Sequence, residues 1–466
     1  MAPAPRLTRR ALLAGAAAAA GAGALAARAP HAGAEPAPAP RPPMRKGISL
    51  IGDVNPYDDR LGVRPYLRDV PRPTEVVSLW ASWRAAQPYR PDPVTRAQSW
   101  RELGDPAGPA AATWARLDGQ IAQANADGMA VVLTLYQAFP SWTHPSVGCL
   151  MPARDPHQGG PGYPGQGRAA NDARIPDDRT PDGPWAWFLD YLCARYADTG
   201  GEPTPGPGRA GAAVGNPRGA AVAWLAPLNE PNLTWWPQAS ERFPDGAIAS
   251  AVAELIRTAA DVCARHRSAA ATPRGPALLV PNASDVADPG DPPARGTPWR
   301  PFTEGVLRAL AGWRPPVPVG WAHHHYMDVK HGPAADGRWR VEALLELLAA
   351  HGWDGGDGGG VWLTEGGYPF AVRKAGPQPG RYVVDPTRTV ADRHPDAFAE
   401  QVACLRANWE AMARLPVRLW TQYLVHDLDV RFQSSLRGPV RPGPDGAPTP
   451  PAPPYPAAAL WPRLGA

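Results

Sequence analysis

Lysine is nearly missing from this chain: of 47 lysine and arginine residues, only Lys46, Lys330 and Lys374 are lysine. With so many Ala, Gly and Pro, that bias reflects a GC-rich genome and carries little about function. Cysteine is scarce as well. Cys149, Cys193, Cys263 and Cys404 show no CxxC spacing, which argues against a zinc ribbon, and three of them fall in helical patterns that can simply bury them. Beyond the N-terminal region no stretch approaches about eighteen consecutive apolar residues, so the mature chain is expected to lack a membrane span. No Gly-rich phosphate turn follows the first strand pattern at Gly47–Asn55, which argues against a doubly wound dinucleotide fold. No internal repeat is visible.

A basic surplus is missing too, once the chain is divided. The formal net charge is +4, but residues 1–34 hold Arg6, Arg9, Arg10 and Arg28 and no acid. The remainder balances at 43 basic and 43 acidic residues, which leaves no basic face for a nucleic-acid partner. Residues 1–34 themselves read as a twin-arginine (Tat) signal peptide. Thr8-Arg9-Arg10-Ala11-Leu12-Leu13 opens a mildly apolar run that ends at Ala32-Gly33-Ala34, small residues suited to cleavage. Residues 35–43 then form a Pro-rich linker, and residues 44–466 one domain. The expectation is a secreted or extracytoplasmic monomer.

What the chain has in quantity is proline, glycine and tryptophan. The 62 Pro and 48 Gly make about a quarter of the 466 residues, close to low complexity, yet 44% hydrophobic content and 19 Trp require a packed core. From Met44 onward β-rich runs alternate with helical patterns, the mark of a parallel sheet built from βα units. Eight strands are expected, at Gly47–Val54, Glu75–Ala81, Ala130–Tyr136, Val222–Pro227, Ala277–Pro281, Val319–His325, Gly360–Thr364 and Val417–Val425. Helices are clearest at Ala111–Ala126, Trp185–Tyr196, Ala247–His266, Phe302–Ala311, Val341–Ala350 and Pro395–Arg414. Eight such units predict an α/β fold of the (β/α)₈ TIM-barrel class with long insertions. The segments after strands two, three, five and seven are long, and in a barrel all four gather at the carboxyl end, where sites are built.

Two of the apolar strands end in an acid. Val222-Ala223-Trp224-Leu225-Ala226-Pro227-Leu228 runs into Asn229-Glu230-Pro231, and Val361-Trp362-Leu363-Thr364 runs into Glu365-Gly366-Gly367. They are strands four and seven, so Glu230 and Glu365 are expected to face each other across the barrel mouth. A pair of carboxylates there suits glycoside hydrolysis, one as acid and base, the other as nucleophile. Strand six supplies His323-His324-His325-Tyr326. Strand alternation puts His324 and Tyr326 on one face, so at most two of the three histidines point the same way, and no metal or other cofactor is expected.

With Leu228-Asn229-Glu230-Pro231, His324-His325-Tyr326 and Leu363-Thr364-Glu365-Gly366-Gly367 the chain resembles a clan A glycoside hydrolase of the cellulase-type family 5, over roughly Met44 to Asp427. The resemblance implies a retaining barrel enzyme with Glu230 as acid/base and Glu365 as nucleophile. It also implies Asn229 on the sugar 2-hydroxyl and His324 and Tyr326 in the site, with Tyr326 near the nucleophile. Two features depart from the pattern. Strand two has no Arg before Arg84, and strand eight carries Trp420 early, so Tyr423 or His426 is expected to line the pocket. Aromatic rings stack on sugar C–H faces, which makes Trp83, Tyr136, Trp142, Trp235, Trp236 and Tyr368 mouth-side candidates, Trp142, Trp235 and Trp236 foremost. The expected partner is a carbohydrate substrate; the rival expectation is a barrel that binds glycan or cell wall without turnover.

Overall fold

In a computed structural model, eight parallel strands close into one barrel, and each is the strand the sequence pattern predicts, with shifted ends. They are β1 Arg45–Leu50, β2 Val76–Ala81, β3 Ala130–Leu135, β4 Trp224–Ala226, β5 Ala277–Ser284, β6 Val319–His324, β7 Val361–Glu365 and β8 Val417–Tyr423. Each strand pairs with its sequence neighbours, and β1 closes the ring on β8 with Gly47 opposite Thr421. The structure describes residues 43–50, 67–68, 71–135, 139–143, 176, 178–197, 220–233, 247–268, 275–285, 297–354, 360–370, 397–427, 434–438 and 454–466, with the short strand pairs 204–205/213–214 and 373–375/382–384. The expected signal peptide and linker up to residue 42, Cys149, Tyr136, Trp235 and Trp236 lie outside the described residues.

The helices lie on the strands' outer faces. They include α1 Trp83–Ala86, α2 Arg96–Leu103, α3 Ala111–Ala126, α4 Pro184–Tyr196, α5 Ala247–Ser268, α6 Trp299–Ala309, α7 Tyr326–His331, α8 Arg340–Ala350, α9 Ala397–Met412 and α10 Pro456–Leu460. α3 shows why these segments are helical: Trp114, Leu117, Ile121 and Ala124 recur at helical spacing and all are buried. Most of the large side chains pack between barrel and helices, while a separate inner layer of Val76, Val132, Ala226, Leu279, Ala322, Trp362 and Leu419 fills the barrel itself. Trp362 fits there only because residue 320 is glycine: a Cβ on Gly320 would stand 2.4 Å from the indole nitrogen.

Strand ends differ from expectation for local reasons. β8 stops at Tyr423, and the chain leaves the strand at Leu424 with a left-handed φ of 66°. β6 stops at His324, and Tyr326 opens α7 instead of continuing the strand. The cause is Asp285, whose carboxylate accepts the N–H groups of Met327 and Asp328 and so starts the turn.

Candidate active site

At the carboxyl end of the barrel Glu365 is the last residue of β7, and Glu230 follows β4 by four residues. Both are buried, 6% and 7% exposed. His324, at the end of the intervening β6, is fully buried between them. Its Nδ1 lies 2.9 Å from Glu230 Oε1 and its Nε2 lies 3.7 Å from Glu365 Oε2. The Tyr326 hydroxyl donates to Glu365 Oε1 at 2.5 Å. One oxygen of each carboxylate lies within 4.8 Å of the other. The two carboxyl groups are thus close enough to act on one bond, as hydrolysis by a carboxylate pair requires.

The electrostatics follow from burial. Desolvation pushes Glu365 up to about 7; the charge of Glu230 adds to this, while His324 and the Tyr326 hydrogen bond oppose it. Burial works against a charged His324, yet attraction to Glu365 and the bond to Glu230 outweigh it and raise the imidazole above its ordinary value. Glu365 Oε2 and His324 Nε2 make no hydrogen bond in the structure. A buried acceptor left in this state is costly, and sites of this kind mark where a reacting partner completes the bonding.

Around the carboxylates the sequence-derived residues divide. Asn229 is half-buried beside Glu230, and its Oδ1 accepts from Asn282 Nδ2 at 3.3 Å. Tyr423 is half-buried with its ring set edge-on to Tyr326, centroids 5.8 Å apart. Trp142 is half-buried on the β3 side, edge-on to Trp83, and donates its indole N–H to the Gln87 carbonyl. Trp83 and Tyr368, expected as sugar platforms, are packing residues instead. Trp83 is buried in a stack with Phe188 and beside Phe139 and Trp185, and Tyr368 is buried against Phe370. The missing Arg of strand two is answered inside the barrel by Ser78, whose hydroxyl pairs with Thr134 at 3.2 Å, and by Trp80, which strand alternation points the same way.

Two residues that the sequence reading did not single out support the site. Asp285 holds the start of α7 and with it Tyr326. Asn282 touches both carboxylate-bearing segments. The only signal of either in the sequence is a polar run, Asn282-Ala283-Ser284-Asp285, where the apolar β5 gives out. Gly366 has its own reason to be glycine, since a Cβ there would lie 2.2 Å from the His325 ring.

Glu230, His324 and Glu365 also form a donor set of the kind that binds metals, each offering one ligand atom within 4.8 Å of the others. His324 already directs one ring nitrogen to each carboxylate, an arrangement that suits moving a proton between them.

No family model matches the chain, and no curated protein matches it. Solved structures similar to it include an apo beta-glucosidase at TM-score 0.41 and 14% identity, covering 84% of this chain and 83% of that one. A beta-glycosidase follows at TM-score 0.43 and 13% identity, covering 90% of this chain and 95% of that one. A family 1 beta-glucosidase from Thermotoga maritima has TM-score 0.41 and 10% identity, covering 84% of this chain and 82% of that one. At such scores and identities the likeness adds nothing to the barrel read directly from the strand order.

Proposed function

We propose that this protein is a retaining glycoside hydrolase of clan A that cleaves β-glycosidic bonds in soluble oligosaccharides or accessible polysaccharide. One observation carries the reading: two buried glutamates at the ends of β4 and β7 approach within 4.8 Å, with an imidazole between them. In the first step Glu365 attacks the anomeric carbon while Glu230 protonates the departing oxygen; in the second Glu230 takes a proton from water, which releases the sugar from Glu365. Tyr326 holds the nucleophile's Oε1 and leaves Oε2 to attack. His324, bonded to Glu230 and facing Glu365, passes the resting proton from Glu365 to Glu230 before the first step, which leaves an ionised nucleophile and a protonated acid. Asn229 and Tyr423 line the sugar site, with Trp142 as an outer stacking surface. The family 5 resemblance rests on the Asn-Glu-Pro and His-x-Tyr motifs and is carried no further than the clan. Export of a monomer through the twin-arginine route belongs to the same proposal and predicts that Arg9→Lys with Arg10→Lys retains the protein in the cytoplasm.

The test is a panel of aryl β-glycosides and soluble β-glucans, mannans and xylans, run with the wild type, Glu365→Ala and Glu230→Ala. Turnover lost in Glu365→Ala supports the reading. Glu230→Ala should spare substrates with good leaving groups, which need little protonation. Equal collapse on every leaving group would reverse or remove the assigned roles. Saturable glycan binding without turnover by the wild type would favour a binding barrel.

A further inference from the structure

We infer that Asn282 is a positioning residue that holds the two carboxylate-bearing strand ends in one register across the barrel. It sits on β5, 1% exposed, with a left-handed φ of 62°. Its carbonyl accepts the N–H of Glu230 at 2.9 Å. Its Nδ2 donates to the Leu228 carbonyl at 3.2 Å and to Asn229 Oδ1 at 3.3 Å. Its Oδ1 accepts from the hydroxyl of Thr364, the residue just before Glu365. The first three contacts hold the β4 end and the fourth reaches β7, which is two strands away, with β6 and His324 between.

The chemistry specifies asparagine. Leu228 offers a carbonyl, which only accepts, so the side chain must present a donor there, and the Thr364 hydroxyl then meets the amide oxygen. Aspartate would set two acceptors against Leu228 and Asn229. Alanine or leucine would resist the left-handed φ that asparagine tolerates, and glycine would take that φ but make none of the bonds. Glu230 itself has a φ of 48°, an unfavourable conformation that persists only where neighbours impose it. The neighbour that takes its N–H is Asn282. A strained backbone at the proposed acid, hydrogen-bonded to a left-handed asparagine, points to orientation as the purpose.

The effect on turnover rests on the proposed hydrolase reading; the geometric claim does not, so the experiment reads both. Asn282→Gly, Asn282→Asp and Thr364→Val are compared with wild type in two measurements. The first is the pH titration of the His324 ring by ¹⁵N-histidine NMR without substrate, its signal assigned by loss in His324→Gln. The second is kcat and KM on aryl β-glycosides with and without the 2-hydroxyl. Displacement of Glu230 should move the His324 midpoint by about half a pH unit or more. A misplacement of order 1 Å should lower kcat roughly 10²-fold, with KM changed far less. The loss should be smaller on 2-deoxy substrates, which make no use of Asn229, and Thr364→Val should show the same changes in milder form. Folded Asn282 variants with an unmoved His324 midpoint and unchanged kcat would overturn the inference. If the Asn282 variants do not fold, Thr364→Val decides it alone, because residue 282 is intact there. A wild type inactive on every glycoside would sink the hydrolase reading, while the titration would still settle the role of Asn282.

Discussion

At the amino end of the barrel Lys46 is completely buried, and its ammonium donates to main-chain carbonyls, those of Arg72 and Trp461, beneath the Trp461 ring. Nearby, Arg72 donates to the carbonyls of Met44 and Gly465, which ties β1 to the chain's last residues. At the carboxyl end Glu230, His324 and Glu365 are buried just as deeply, but they bond chiefly to one another, two of their atoms make no bond, and the backbone at Glu230 is strained. At one end a single buried amine is bonded to main-chain carbonyls that tie the barrel floor to the chain's last residues, which serves structure. Charge at the other is left partly uncompensated on a rigid frame, which serves chemistry. The contrast predicts that substitutions at the two ends separate activity from stability.

The sharpest break is Glu365→Gln. Loss of the proposed nucleophile should lower turnover roughly 10⁴–10⁶-fold. Stability should not fall. Burial holds the folded-state carboxyl at about 7, above its unfolded value of roughly 4.3, so the stabilisation from its protonated form is complete below about pH 4 and fades as pH rises through 7. Glutamine has no such loss. The variant should therefore match wild type in acid and exceed it above pH 7, by about 4 kcal/mol at most. Urea unfolding at pH 5 and pH 8 measures the difference, and a variant less stable than wild type at both would break the comparison.

His324→Gln comes next. It should lower kcat/KM roughly 10²–10³-fold, because the proton no longer passes from Glu365 to Glu230 to ready the pair before the first step. The acid limb of kcat/KM, expected near pH 7 in the wild type, should move to higher pH, since His324 is the strongest of the influences holding Glu365 down. Tyr326→Phe should move that limb the same way by less, with about a tenfold loss in rate, as the hydrogen bond it removes also favours the charged nucleophile. A pH–rate profile of each variant gives the answer, and a limb moving to lower pH in either would contradict the electrostatics.

How much of this was legible in the sequence differs between the two ends. The glutamates could be read because each closes an apolar strand, and His324 and Tyr326 because a short motif carries them. That Tyr326 opens a helix could not be read, since the group that turns the chain is Asp285, some forty residues earlier. Asn282 was hidden for the same reason: its partners Leu228, Asn229 and Thr364 are more than fifty residues away on other strands. Trp83 and Tyr368 misled because an aromatic on a mouth-side loop gives no local sign of whether a ring or a sugar will cover it. Lys46 was the least legible of all. A lysine at a strand's first turn reads as solvated, and only the return of the C-terminal segment buries it.

That buried lysine supplies the smallest expected effect on activity and the cleanest contrast. Lys46→Ala should leave kcat/KM within about twofold of wild type, because nothing at the amino end touches substrate in a barrel of this class. It strips the Arg72 and Trp461 carbonyls of their donor, and unmet buried acceptors should cost about 1–3 kcal/mol at pH 7. The pH dependence fixes the cause. Burial, helped by the charge of Arg72 and opposed by Glu75, lowers Lys46 to about 7, below its unfolded value of roughly 10.4. A lowered folded-state value means the contribution to stability is complete above about pH 10 and is lost as pH falls through 7. The stability gap between wild type and Lys46→Ala should therefore widen from pH 7 to pH 9.5. A constant gap in urea titrations at the two pH values would mean that Lys46 acts through packing alone, while a large fall in kcat would mean that the two ends of the barrel are coupled after all.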